Sequence, residues 1–473
     1  MSFMNKKSEY QLKSFKKILK NTSLTFAMFV LLAINSFSQS ITWQKVLIIP
    51  GISYFTSVVQ TPDDGYIAVG RHQYIENYMY IARFNKFGDT LWTKEIDKED
   101  ATCIIKTNDN NYVVCGRLGS FVKIDVNGNI LNLGTFIDEE SRILKVVQSN
   151  DNNYFMCGYI FTSGFFYPYL LKYNNSGVPL WDSVYKNGIT GGQFSDFVIS
   201  NDNCLIITGF HYLQNGQPSY LFVKKIDLNG NQVWNKTLFT YTYLTPNSII
   251  KSVTNSYFIS CFYSSILKFN SDGIFQWRIN YDTAFQTGIE AMANTNDGKI
   301  VYTAFHDSGN FTSVKIRKID TNGIEIISKN VGFANHNHTP WGIKQTFDSG
   351  YIVVGRTDFS NENAFILKTD KNGESPIGIK KISTEIPENF RLYQNYPNPF
   401  NPVTNIKYEI PKDVNVSIKI YDILGREVFC INEYKLAGSY EVQFDGSNFA
   451  SGMYFYKLES DGFTDTKKMV LLK

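Results

Sequence analysis

Only five histidines and six cysteines occur in 473 residues, and neither set is spaced as a ligand group. There is no C-x-x-C, so nothing points to zinc or to a dithiol redox centre. Cys103, Cys115, Cys157, Cys204, Cys261 and Cys430 show no close spacing; Cys115, Cys157 and Cys261 recur at neighbouring positions of successive β-patterned repeats, which favours buried free thiols. The formal net charge of +3 is small, and lysines alternate with acids along the chain. No basic stripe exists for nucleic acid. Gly-x-Ser-x-Gly, His-Glu-x-x-His and the phosphate loop are all missing, so no catalytic residue, metal or cofactor is assigned. Scattered Asp and Glu could form a glycosidase pair, but chain order alone cannot bring two of them within about 5 to 10 Å. Nor is any run long enough to cross a bilayer, which takes about 20 apolar residues, so no transmembrane anchor is expected.

What is present begins with an export leader. Lys6, Lys7, Lys13, Lys16, Lys17 and Lys20 precede the apolar run from Leu24 to Ile34, and Ser36-Phe37-Ser38 supplies small residues at the positions a signal peptidase reads. Residues 1–38 read as a secretory signal peptide cleaved before Gln39, which takes the chain across the inner membrane into the periplasm.

The middle repeats itself. The unit is plainest in Val58-Val59-Gln60-Thr61-Pro62-Asp63-Asp64-Gly65-Tyr66-Ile67-Ala68-Val69-Gly70 followed by Ile81-Ala82-Arg83-Phe84-Asn85-Lys86-Phe87-Gly88-Asp89-Thr90-Leu91-Trp92. Gly88, Gly128, Gly177, Gly230, Gly273, Gly323 and Gly373 mark seven copies, separated by roughly 40 to 53 residues, a period that signals a β-propeller of four-stranded blades. Strands are expected at 55–61, 66–72, 78–85 and 89–96 in the first copy. The Asp-Asp-Gly and Asn-Gly segments are hairpin turns; an EF-hand would need further ligands and a closing Glu that are absent. Trp92, Trp181, Trp234 and Trp277 follow the turn glycine by four residues, and the seventh copy lacks this strand. Trp43-Gln44-Lys45-Val46-Leu47 matches it, so the first strand is expected to complete the last blade and remove both open edges. The ring then spans 39–375, with 376–388 as linker.

Asp227-Leu228-Asn229-Gly230-Asn231-Gln232-Val233-Trp234 resembles the tryptophan-docking motif of quinoprotein-like propellers. Quinone enzymes of that group use eight blades and adjacent cysteines, which this chain lacks, so the resemblance implies shape alone.

The tail carries a second resemblance. Tyr396-Pro397-Asn398-Pro399-Phe400-Asn401-Pro402, then Ile420-Tyr421-Asp422-Ile423-Leu424-Gly425-Arg426, Ser451-Gly452-Met453-Tyr454-Phe455-Tyr456 and Lys467-Lys468-Met469-Val470-Leu471-Leu472-Lys473 follow one another in the order and spacing of a type A C-terminal sorting domain of the type IX secretion system, found in Bacteroidetes and related bacteria. The resemblance covers 389–473 and implies a small immunoglobulin-like sandwich, handling by the type IX machinery, and delivery to the outer cell surface or medium. The residues agree on the fold: Val414, Val416, Ile418 and Ile420 alternate with Asn415, Ser417 and Lys419 as a half-buried strand does. An adhesion sandwich would show the same alternation. The expected whole is all-β, a seven-bladed propeller followed by the sandwich.

A binding face follows from topology. Loops between second and third strands, and between blades, leave one side of the disc, and all five histidines fall there: His72, His211 and His306 after second strands, His336 and His338 before the seventh copy. The same loops carry Phe165, Phe166, Tyr167, Tyr212, Tyr241, Tyr243, Phe285 and Trp341, and Trp341 is the one tryptophan outside the repeated strand position. Loops on a rigid frame usually carry function, and flat aromatics suit sugar rings. The candidate site is therefore Trp341, His336, His338, His72, His211, His306, Tyr212 and Tyr241, presenting a glycan, peptide or protein site on a non-catalytic exported protein. The alternative is an extracellular polysaccharide hydrolase or lyase.

Overall fold

A computed structural model describes residues 42–472, except 98–99, 135–140, 187–190, 213–217, 240–243, 263–264, 282–287, 308–310, 333–335, 359–361, 375–379, 384–386, 436 and 447–448. The leader at 1–38, Tyr241, Tyr243, Phe285 and Lys473 lie outside the described residues. All regular structure among those described is β-strand, arranged as nine four-stranded sheets. None of it is a helix long and apolar enough to cross a membrane.

Seven of the sheets are propeller blades, each running outward from an inner strand. Blade one is Ile52–Gln60, Tyr66–Gln73, Asn77–Phe84 and Thr90–Ile96. Its second strand is a continuous apolar run because both faces are covered by neighbouring blades: Tyr66, Ile67, Ala68 and Val69 are all buried. Its outermost strand alternates instead, with Leu91 exposed and Trp92 half-buried.

Each blade is pinned at both hairpins. Between first and second strands, Thr61 donates its hydroxyl to Asp63 at 2.6 Å, and Arg83 of the third strand caps the same carboxylate at 2.6 Å. Thr107, Asp109 and Lys123 repeat the device, as do Ser200, Asp202 and Lys225. Lys225 and then Ser200 hold the Asp202 carboxyl below its ordinary value. Between third and fourth strands Asp227 accepts the amides of Asn229 and Asn231, and Gly230 follows with φ of +90°. That turn has one left-handed residue, the glycine, so it is a type I turn closed by a glycine bulge.

The turn glycine serves the neighbouring blade as well. Gly273 has φ of +73°, and a Cβ there would lie 2.4 Å from the Trp234 ring of the preceding blade. Only a residue without a side chain lets the two surfaces meet. Gly128 meets Trp92 in the same way, and Gly88 meets Trp43.

Trp43–Leu47 pairs antiparallel with Asn363–Thr369 as the outermost strand of blade seven, with Trp43 opposite Lys368. Trp43 is fully buried and donates its indole N–H to the Lys86 carbonyl at 2.8 Å. Across the same seam Gln60 accepts the Phe347 amide at 2.8 Å, and Ser53 accepts the Ala364 amide at 3.0 Å.

The other two sheets form a sandwich around Ile406, Tyr408, Ile418, Ile420, Tyr456 and Leu458, all fully buried. Lys380–Ser383, within the stretch read above as linker, pairs with Gly438–Asp445 and so gives this sandwich an edge strand. The proline-rich motif clips the last strand in place. Phe400 is buried, donates its amide to Val470 and accepts that of Leu472, both at 2.9 Å, while Asn398 accepts the Val470 amide. The long separation between motif and terminus in sequence is thus a contact in space. Tyr396, by contrast, is 81% exposed. The sandwich meets the ring where Asn432 donates to the Phe87 carbonyl and to Asp89, at 3.3 and 3.0 Å.

Candidate functional site

The seven inner strands share a feature that shapes the centre of the disc. Each carries a β-bulge at the same place: Thr56, Thr102, Leu144, Ser195, Asn247, Glu290 and Trp341. The extra residue turns its side chain toward the next blade. Thr56 donates to Ala101 at 2.8 Å, Thr102 to Ile143 at 2.7 Å and Asn247 to Ile289 at 2.9 Å. These carbonyls belong in each case to the following blade, so the bulges stitch the ring around its axis.

Trp341 occupies this position in blade seven. Its ring stands edge-on to Tyr54 of blade one, with centroids 4.8 Å apart, and the Arg356 guanidinium lies 5.5 Å from its centre. The sequence assigned Trp341 no packing role; in the structure it joins two blades while remaining half-buried. Bulges lie near the loop end of the inner strands, so this aromatic pair flanks the mouth of the axial channel. Polar groups surround it. Arg71 donates to Gln73 and Asn77 at 2.7 and 2.6 Å, Asp100 pairs with Arg142 at 3.1 Å, and Arg356 pairs with Glu362 at 2.8 Å. Glu290, enclosed at the bulge of blade six, has its carboxyl pushed up to about 7 by burial.

The histidines are less available. His72 is buried between Glu95 and the Pro50 carbonyl, at 2.5 and 2.6 Å. His211 is buried and stacked on Phe222 at 4.5 Å, and burial lowers its pKa to about 4. His338 is 1% exposed, faces the His336 carbonyl at 2.9 Å, and is likewise lowered to about 4 by burial. Half-buried His336 lies 3.3 Å from Asp358. His306 pairs through its backbone with Ser313, and Tyr212 ends a second strand. His336, His338 and Trp341 share one blade, whereas His72, His211 and His306 belong to three others. Among the described residues no group of three or more His, Cys, Asp or Glu could hold a metal.

Sequence reasoning missed the partners of Trp341, Tyr54 and Arg356, and the Arg71, Asp100 and Arg142 that act on Tyr54, none of which carries a local signal. A second aromatic group crowns blade three, where Phe165 and Phe166 are exposed and Phe166 packs on Tyr159 and Phe161 at 5.2 and 5.0 Å.

Two cavities stand out. One of 350 Å³ follows the axis and includes Trp341, Lys145, Asp196 and Lys344 in its wall. The larger, 670 Å³, lies in the seam between ring and sandwich, beside Lys45, Asp89, Asn432 and Phe463. The larger one holds none of the candidate residues, so the axial mouth is the better site.

Among solved structures, the chain is similar to a streptogramin B lyase at 12% identity, with a TM-score of 0.49 over 71% of this chain and 100% of that one. The virginiamycin B lyase of Staphylococcus aureus gives 12%, 0.48, 69% and 99%. PorZ, a surface component of the type-IX secretion system of Porphyromonas gingivalis, gives 10%, 0.38, 90% and 53%. No curated protein matches. Residues 394–472 match the family of secretion system C-terminal sorting domains, so this segment is a signal for export to the cell surface or beyond.

Proposed function

We propose that this is an exported, non-catalytic binding protein whose propeller holds a glycan, peptide or protein at the loop-side mouth of its axial channel. Residues 1–38 act as a cleaved leader, 39–375 as the ring and 389–473 as the sorting domain handled by the type IX machinery. The observation that carries the reading is Trp341: a half-open indole paired with Tyr54 and with the Arg356 guanidinium over its ring, Tyr54 in turn facing Arg71 and Arg142. An aromatic platform buries the apolar face of a ligand while nearby guanidiniums fix its orientation. A glycan and peptide binding screen on the purified chain tests it. Trp341→Ala should weaken the strongest hit about tenfold or more, with a stability loss limited to about 0.5–1.5 kcal/mol for the lost ring pair. A sharp fall in melting temperature with binding intact would make Trp341 a joining residue and move the site elsewhere.

Glu290 favours a second reading. A carboxyl held near neutrality at a channel mouth suits a general acid, as an extracellular polysaccharide hydrolase or lyase needs. Turnover of polysaccharide by the chain, abolished in Glu290→Gln, would establish that reading over the first.

A further inference from the structure

Beneath the mouth, the channel has a chemistry of its own. Three residues past the bulge stand Val59, Ile105, Val147, Val198, Ile250 and Ala293 in six blades and Lys344 in blade seven. Of these, Ile105, Val147, Val198 and Ile250 join Lys344 in the cavity wall, so aliphatic side chains from four blades share this level with one lysine. Lys344 stands in the cavity wall with its side chain exposed to the water of the channel, and desolvation, then the like charge of Lys145, lowers its pKa.

Of the other charges in this cavity, Lys251 donates to the neutral Asn201 amide at 2.8 Å. Lys145 faces Asp196 at 3.8 Å, and Asp196 in turn accepts the Ile249 amide at 3.0 Å. Asp196 raises the Lys145 pKa, and the Lys145 charge helps lower that of Cys103 on the same wall, after the hydrogen bond from Cys115. Lys145 presses on Lys344 with like charge, while Cys103 and Asp196, the latter shared with Lys145, attract it. Three ammoniums, Lys145, Lys251 and Lys344, face the one carboxylate of Asp196 in this wall, and that positive balance favours an anion in the channel.

We propose that the axial channel binds a small organic carboxylate with an apolar body, its carboxylate pairing with Lys344 and its body lying against Ile105, Val147, Val198 and Ile250. The volume, 350 Å³, suits a ligand of a few carbon atoms or one ring. The aliphatic wall is what selects a carboxylate of this kind over a fully hydrated anion such as phosphate, which would lose water on that side without compensation.

Calorimetric titration of the full chain with benzoate and butyrate tests the assignment, with benzyl alcohol, butyramide and inorganic phosphate as comparison probes. Benzoate or butyrate should bind saturably, and the neutral isosteres and phosphate at least about tenfold more weakly, in line with a charge-assisted hydrogen bond. Lys344→Met, which keeps the length of the side chain, should remove that preference. Absence of carboxylate binding to the native chain overturns the proposal whether or not the variant folds. So does unchanged binding in a variant that melts as the native chain does, and phosphate binding as tight as benzoate overturns the carboxylate class. Trp341 lines the same cavity nearer its mouth, so the carboxylate titration is read on the native chain and on Lys344→Met, and the glycan and peptide screen on Trp341→Ala does not decide it.

Discussion

At the scale of single residues, buried histidines make the ring sensitive to mild acid. His211 and His338 are held neutral by burial, with pKa values near 4 against 6.5 in a free side chain. The unfolded chain therefore takes up protons between pH 6.5 and 4 that the folded chain refuses. Stability is complete above 6.5 and declines as pH falls toward 4. The melting temperature should drop across that window, and His338→Gln should flatten the slope; equal slopes in the variant and the native chain would mean that other groups govern it. The turn glycines belong to the same scale, and they were legible. Gly88, Gly128 and Gly273 need a positive φ, and a requirement on one residue's backbone shows in one residue's identity. Cys103 and Cys115 show the opposite case. They face each other across neighbouring strands as buried free thiols, and nothing in their sequence spacing reveals it.

At the scale of elements, the strand Trp43–Leu47 does more than start the chain. It covers the outer edge of blade seven, and its Trp43 fills the same position over Gly88 that Trp92 fills over Gly128. Removing residues 39–48 should uncover the edge of Asn363–Thr369 and forfeit a buried indole, a loss of about 3–5 kcal/mol. Aggregation or loss of a cooperative melt is the expected outcome in calorimetry; an unchanged melting curve would show that blade seven stands without it. Strand number and hairpin position could be read from sequence because alternation and turn chemistry are local. The bulges could not. Whether Glu290 or Trp341 is an extra residue depends on what the partner strand places opposite, which is a property of pairing and not of the strand itself. Phe165, Phe166 and Trp341 were read as loop-side aromatics, and Trp341 stands at a bulge within the strand His338–Gln345; its neighbours Tyr54 and Arg356, and the Arg71 and Arg142 that act on Tyr54, came into view only in the folded ring.

At the scale of the whole molecule, export and binding are assigned to different parts. The sorting domain forms its own core around Ile418 and Tyr456 and clips its last strand through Phe400 and Asn398. Exposed Tyr396, Ile423 and Leu424 remain on its surface as material for recognition. Mass spectrometry of the surface or medium fraction should find the protein without residues 1–38 and without most or all of 389–473. Deleting 389–473 should leave the ring stranded in the periplasm, and normal delivery of that truncated chain would contradict the assignment.

The closing strand also fixes an order of events. Trp43 is made early and its partner Lys368 late, so no shorter piece of the chain can complete the circle. The delivery signal at 394–472 follows that partner, and is therefore synthesised after it. Any chain that bears the address already carries every blade, and a product stalled or cut before the final repeat is left without a ticket out of the cell.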